Sequence, residues 1–126
     1  MKLRVAMVVA TIFYWVVIST LSLVSFSNDI PEIKIPYIDK IVHFLFYIGL
    51  NFLLLTTLFV MNKDSWRYII GVTLVAILYG VVIELIQPLT GRSCEVLDIV
   101  ANSMGAISGV LLFIPIRRLI KSLITK

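Results

Sequence analysis

The residues of this chain whose types could do chemistry come as three pairs, Asp39/His43, Glu84/Gln87 and Asp98/Asn102. Spacings of three and four put each pair on one face of a helix, and each pair stands at one end of an apolar run. Ionisable groups inside a spanning segment cost roughly 2.5 to 3.5 kcal/mol each on insertion scales, so they normally face a partner, a cavity or a substrate. Glu84, Asp98 and His43 are the candidates for acid or base work, because two carboxylates and an imidazole can each hold or release a proton. Asp39, Tyr47, Gln87, Arg92 and Asn102 are the candidates for holding and orienting a ligand beside them. No serine or cysteine elbow, phosphate loop or zinc motif specifies a reaction.

Each of these residues also has a structural reading. Asp39 stands where a helix N-cap belongs, just before an apolar run, and its carboxylate would there accept backbone N–H groups. Asp39, His43, Tyr47 and Asn51 recur every four residues and form one polar stripe on an otherwise apolar helix. His43 is the chain's one histidine, suited to hydrogen bonding or to proton chemistry. Without cysteine companions it makes a poor zinc site, so neither a metal nor a cofactor is expected. Glu84 lies about one turn inside its helix, where it either does chemistry or pairs with Arg92 as interhelical glue. The Arg92 guanidinium suits a bidentate carboxylate or phosphate contact, which makes it the counterion of the acids or an anion receptor. Gly80, Gly105 and Gly109 share faces with these polar residues and read as close-packing positions, the last two forming a GxxxG surface. Cys94 stands alone and has no disulfide partner.

The elements that must position these residues follow from composition. Of 126 residues, 60% are hydrophobic and 14% charged, against about 25% charged in a soluble domain. A hydrocarbon core of about 30 Å calls for about 20 apolar residues per helix. Four runs qualify, at about residues 5–26, 41–61, 68–87 and 97–116. The expectation is a single all-α membrane domain over residues 1–126, a four-helix bundle. The first run, about 22 residues long, exceeds a secretory h-region and reads as a retained helix. Lys34 is in a segment with Pro31 and Pro36, which cannot continue a helix. Pro88 is expected to end the third helix. Lys2, Arg4, Lys63, Arg67, Arg117, Arg118, Lys121 and Lys126 fall on one side, and Lys34, Lys40 and Arg92 on the other. The positive-inside rule then predicts both termini in the cytoplasm and all three polar pairs on the outer face. A basic cytoplasmic rim accounts for the net charge of +4, so no nucleic-acid partner is implied.

Taken in order, Asp39-Lys40-Ile41-Val42-His43-Phe44-Leu45-Phe46-Tyr47, Glu84-Leu85-Ile86-Gln87, Gly91-Arg92, and Asp98-Ile99-Val100-Ala101-Asn102-Ser103-Met104-Gly105 with Gly109 resemble the VanZ-like membrane family. The resemblance spans about residues 38–112. It implies a multi-pass protein of the bacterial cell membrane with a cell-envelope role, the founding member being associated with low-level teicoplanin resistance. Residue chemistry and resemblance together predict an outward-facing intramembrane site. It would bind or modify a polar or anionic head group of a lipid, a lipid-linked envelope intermediate or a lipoglycopeptide. The alternatives are a head-group transferase or hydrolase and a non-catalytic scaffold. Because the cytoplasmic halves of the helices read as almost purely apolar, no polar path for transport is expected across the membrane. Oligomeric state has no signature in the sequence.

Overall fold

In the computed structural model, residues 2–24 and 37–124 are described, and they are helical apart from short connections. Helix α1 covers Lys2–Leu23, α2 Ile38–Val60, α3 Trp66–Ile86 and α4 Val96–Ile124. A 3₁₀ turn at Gln87–Thr90 continues α3. All four helices are long and apolar enough to cross a membrane. Their large exposed side chains run in lipid-facing stripes, such as Val5, Val9, Phe13 and Val16 on α1 and Ile70, Leu74, Leu78 and Leu85 on α3. In water such stripes would drive association; in a bilayer they meet hydrocarbon. The segment with Pro31, Lys34 and Pro36 lies outside the described residues.

Helix α2 is the hub. It packs on α1, α3 and most closely on α4, whereas the α1 and α4 backbones do not come close among the described residues. This explains the polar stripe: the successive faces of α2 are covered by protein, so His43, Tyr47 and Asn51 are all buried. Gly105 and Gly109 lie against α2, where a Cβ on Gly105 would collide with the Phe44 carbonyl oxygen and one on Gly109 would stand 3.0 Å from the Ile48 carbonyl oxygen. At Gly80 on α3, a Cβ would meet Asn102 and Tyr47 at 3.0 and 3.1 Å. Glycine therefore sets how near these backbones approach one another. Apolar clusters lie below the polar end, one built on Ile18, Tyr47 and Leu50, another on Leu55, Ile69 and Phe113.

Several boundaries differ from the sequence expectation. Helix α4 runs through Pro115 to Ile124, since a proline removes one backbone donor without forcing the chain to leave the helix in a bilayer. The α-helical part of α3 ends at Ile86, just before Pro88 as expected, and the chain goes on in a 3₁₀ segment whose first turn holds Pro88, where its missing N–H leaves no bond unmade. Gly91, with φ 83°, then closes that turn in the left-handed region that favours glycine. The expected apolar lower half also contains buried hydroxyls. Thr11 and Thr57 hydrogen-bond each other at 2.8 Å, and Thr56 donates to the Phe52 carbonyl at 2.8 Å. Such hydroxyls satisfy themselves on helix carbonyls, so they hide in an apolar pattern.

Candidate functional site

The antiparallel bundle brings together the C-terminal ends of α1 and α3 and the N-terminal ends of α2 and α4. His43 is the centre of what gathers there. Its Nδ1 lies 3.1 Å from Asn102 Oδ1 and 3.5 Å from Glu84 Oε1, so α2 meets α4 and α3 through one ring. Its Nε2 lies 3.7 Å from Asp39 Oδ1, one turn earlier on α2. With Nδ1–H donating to Asn102, the neutral ring keeps Nε2 as an acceptor; protonated, it offers a donor toward each carboxylate. Glu84, Gln87 and Asn102 are 0% exposed, Asp98 1% and His43 2%.

Asp39 is not an N-cap. The position before α2 is Tyr37, left-handed at φ 63° and without a side-chain cap, and Asp39 is already in the first helical turn. Its Oδ1 accepts a hydrogen bond from Arg92 Nη2 at 3.0 Å, and its charge favours the positive end of the α2 dipole. Arg92 does not pair with Glu84. Besides Asp39, it donates from Nη1 to the Ser22 carbonyl at 3.2 Å, which Gln87 Nε2 also reaches at 3.2 Å. Arg92 and Gln87 together thus serve a carbonyl in the last turn of α1, where helix carbonyls lack partners of their own.

The counterion of buried Asp98 is a residue that sequence reasoning missed. Lys40 reaches across from the first turn of α2, hydrogen-bonding Glu95 Oε2, and its Nζ stands 3.1 Å from Asp98 Oδ1. In the sequence Lys40 reads as a loop charge bearing on orientation. Its position on the helix turn next to His43 was the available signal, but its partners lie more than fifty residues away in the chain. Glu95, whose backbone carbonyl starts α4 by accepting from the Asp98 N–H at 3.0 Å, also receives the Ser93 hydroxyl at 3.3 Å. The Lys40 hydrogen bond, reinforced by its charge, holds the Glu95 carboxyl below the usual carboxylate range.

Two predicted residues fall below this group. Tyr47 packs in the apolar cluster with Ile18 and Leu50, its ring 6.3 Å from that of Tyr79. Asn51 is a mid-bundle staple, donating to the Ala106 carbonyl at 2.7 Å and to Thr73 Oγ1 at 3.1 Å. Several buried atoms have no hydrogen-bond partner: at the polar end both Glu84 oxygens, Gln87 Oε1, Asp98 Oδ1 and Asn102 Nδ2, and in mid-bundle Asn51 Oδ1. Asp39, His43 and Asp98 offer three ligand atoms within 4.8 Å of one another, a spacing that metal ligation can use. Arg92 and Lys40 already face those two carboxylates, so a divalent ion would have to displace both cations.

A family model described as VanZ/LLP1 matches residues 3–120, nearly the whole chain. The chain belongs to the VanZ/LLP1 family. No curated protein and no solved structure matches it. In this VanZ/LLP1 protein the matched region takes in all four helices, α4 except its last residues, and the whole polar group from Asp39 to Asn102. The VanZ/LLP1 match and the four apolar helices together make it a membrane protein.

Proposed function

We propose that this protein binds the polar head group of a membrane lipid or lipid-linked envelope molecule at the end of the bundle occupied by His43, Glu84, Asp98 and Asn102, with that end on the outer face of a bacterial cell membrane. One observation carries the reading. Fully buried Glu84, Gln87 and Asn102 keep polar atoms without partners, directly behind a partly exposed rim of Asp39, Lys40, Arg92 and Glu95. A polar network kept only for packing would satisfy itself, because an unpaired buried group costs about 1 to 3 kcal/mol. The excess of Lys and Arg at the opposite end supports the outward orientation.

The test is native mass spectrometry of the purified wild type and of an Arg92→Gln/Asp98→Asn variant, each checked for helicity and melting temperature. The expected result is a selectively retained envelope lipid that the still-folded variant loses. Loss only with unfolding, or no selective lipid in either protein, would make the cluster a packing network.

A second reading, head-group transfer or hydrolysis, draws on the bracketing of His43 by Asp39 and Glu84 at 3.7 and 3.5 Å. A carboxylate that orients an imidazole prepares it for general base work on a bound water. Product formation unchanged in His43→Ala, Glu84→Gln and Asp98→Asn would sink this reading.

A further inference from the structure

We infer that the polar end of the bundle recognises a primary ammonium group, and that Lys40 is the chain's own occupant of that position, exchanged for the ligand. The inference rests on the head-group reading above and names the ligand class for it.

The signs of the side chains come first. Asp39, Glu84, Glu95 and Asp98 converge here, against Lys40 and Arg92 as the permanent cations facing them. Arg92 is spent on Asp39 and on the Ser22 carbonyl. One ammonium, that of Lys40, serves Glu95 and Asp98, and among the described residues the basic group within 4 Å of the Glu84 carboxyl is the imidazole of His43. An anionic head group would enter where acids outnumber bases and would have to take its cation from a carboxylate that needs it. Like charges brought together away from bulk water are strongly unfavourable.

The unpartnered atoms point the same way. At this end four are acceptors, Glu84 Oε1 and Oε2, Gln87 Oε1 and Asp98 Oδ1, the last 3.1 Å from Lys40 Nζ, against one donor, Asn102 Nδ2. Glu84 is fully buried and directed at His43 in the middle of the group, so this is more than a cluster of surface acids. What such a site lacks is donors, and a primary ammonium brings three N–H donors on one compact cation.

Lys40 shows that the position accepts this chemistry. Its Nζ is itself a primary alkylammonium, held between Glu95 and Asp98. It sits on a flexible stem in the first turn of α2, with 20% of its side chain exposed beside a Glu95 that is 44% exposed. An entering ammonium can therefore trade places with it from the rim without moving a helix. A quaternary trimethylammonium has the charge but no N–H, and could not replace the hydrogen bond that Lys40 gives Glu95.

The ammonium can come from an aminophospholipid or from a small amine in solution, and the experiment separates the two. Delipidated full-length protein in detergent is titrated with phosphatidylethanolamine, phosphatidylcholine and phosphatidylglycerol of matched acyl chains, followed by native mass spectrometry, and separately with free ethanolamine. The expected result is phosphatidylethanolamine favoured over both other lipids by about fivefold or more, a difference of about 1 kcal/mol. Glu84→Gln abolishes the preference, and Lys40→Met strengthens binding by a similar factor because the tethered competitor is gone. Lys40→Gln replaces Lys40→Met if the latter loses its melting transition. Ethanolamine binding at least as tightly as the lipid keeps the ammonium class and moves its source to solution. Preference for phosphatidylglycerol, weakened by Lys40→Met, overturns the ammonium class while the head-group reading stands. Phosphatidylethanolamine binding that Lys40→Met leaves unchanged or weakens overturns the exchange. Equal retention of all three lipids, unmoved by any variant, overturns both the ammonium class and the head-group reading.

Discussion

Asn51 shows what a single polar side chain does inside a bundle of this kind. It ties α2 to α4 through the Ala106 carbonyl at 2.7 Å and to α3 through Thr73 at 3.1 Å. Hydrogen bonds between membrane helices average about 0.6 kcal/mol and reach about 1.7. Asn51→Ala is therefore expected to cost about 1 to 2 kcal/mol of unfolding free energy, measured by denaturant titration in mixed micelles. Thr20→Ala, which removes only an exposed bond to the Val16 carbonyl of its own helix, is expected to leave the transition within about 0.5 kcal/mol of wild type. His43 differs from Asn51 because it stands between two carboxyl groups in unlike settings, Asp39 at the rim and Glu84 in the interior. That arrangement, rather than burial alone, makes it the residue around which the site is built.

Contact between α2 and α4 is the element-level decision on which the site depends. The backbones approach because Gly105 and Gly109 offer no side chain, and a Cβ at Gly105 would run into the Phe44 carbonyl, an atom of backbone that cannot rotate away. Gly105→Val is expected to destabilise by about 1 to 3 kcal/mol and to separate His43 from Asn102, seen as a lower melting temperature and weaker lipid retention. Gly71, with nothing within 4 Å of an added Cβ, is the contrast: Gly71→Ala is expected to be neutral or to stabilise α3 by up to about 1 kcal/mol. Lys40 and Glu95 join the same two helices at the rim, and their pairing carries a pH signature. Because the folded protein holds the Glu95 carboxyl low, its contribution is present above the unfolded value of about 4.3 and is lost as pH falls through the folded one. The pair is half-exposed, so the contribution stays within about 1 kcal/mol. Melting temperatures of wild type and Glu95→Gln are expected to differ slightly at neutral pH and to converge below about pH 4.

At the scale of the molecule, the distribution of polar groups is one-sided. His43, Glu84, Asp98, Lys40 and Arg92 gather at one end, while Lys63, Arg67, Arg117 and Arg118 belong to the other. The proposed outward orientation of the first end makes a direct prediction through Cys94, which is exposed in the connection between the 3₁₀ turn and α4. A membrane-impermeant maleimide is expected to label Cys94 in intact cells. A Ser65→Cys/Cys94→Ser variant, with its thiol just before α3 at the opposite end, is expected to react only after permeabilisation. Labelling in the reverse pattern would place the polar end in the cytoplasm and remove an external head group from consideration.

Hydrophobic length and helical period are local properties, and they were enough to read the four helices, the polar stripe of α2 and the glycine surface of α4 from the chain itself. The resemblance to the VanZ-like family was legible in the same way, because its motifs are short and ordered along the sequence. Partnership was not legible. That Arg92 would serve Asp39 and the Ser22 carbonyl rather than Glu84, and that Lys40 would cross to Glu95 and Asp98, depends on which helix ends meet and on the reach of long side chains. Neither is encoded in a spacing of three or four. The hydroxyls of Thr11 and Thr57 were hidden for a related reason, since a threonine that bonds a helix carbonyl passes as apolar until a neighbouring helix faces it. The sequence determined which residues lie at the polar end; only the tertiary structure decided which of them are satisfied by one another and which, like Glu84, are left facing the interior with acceptors unused.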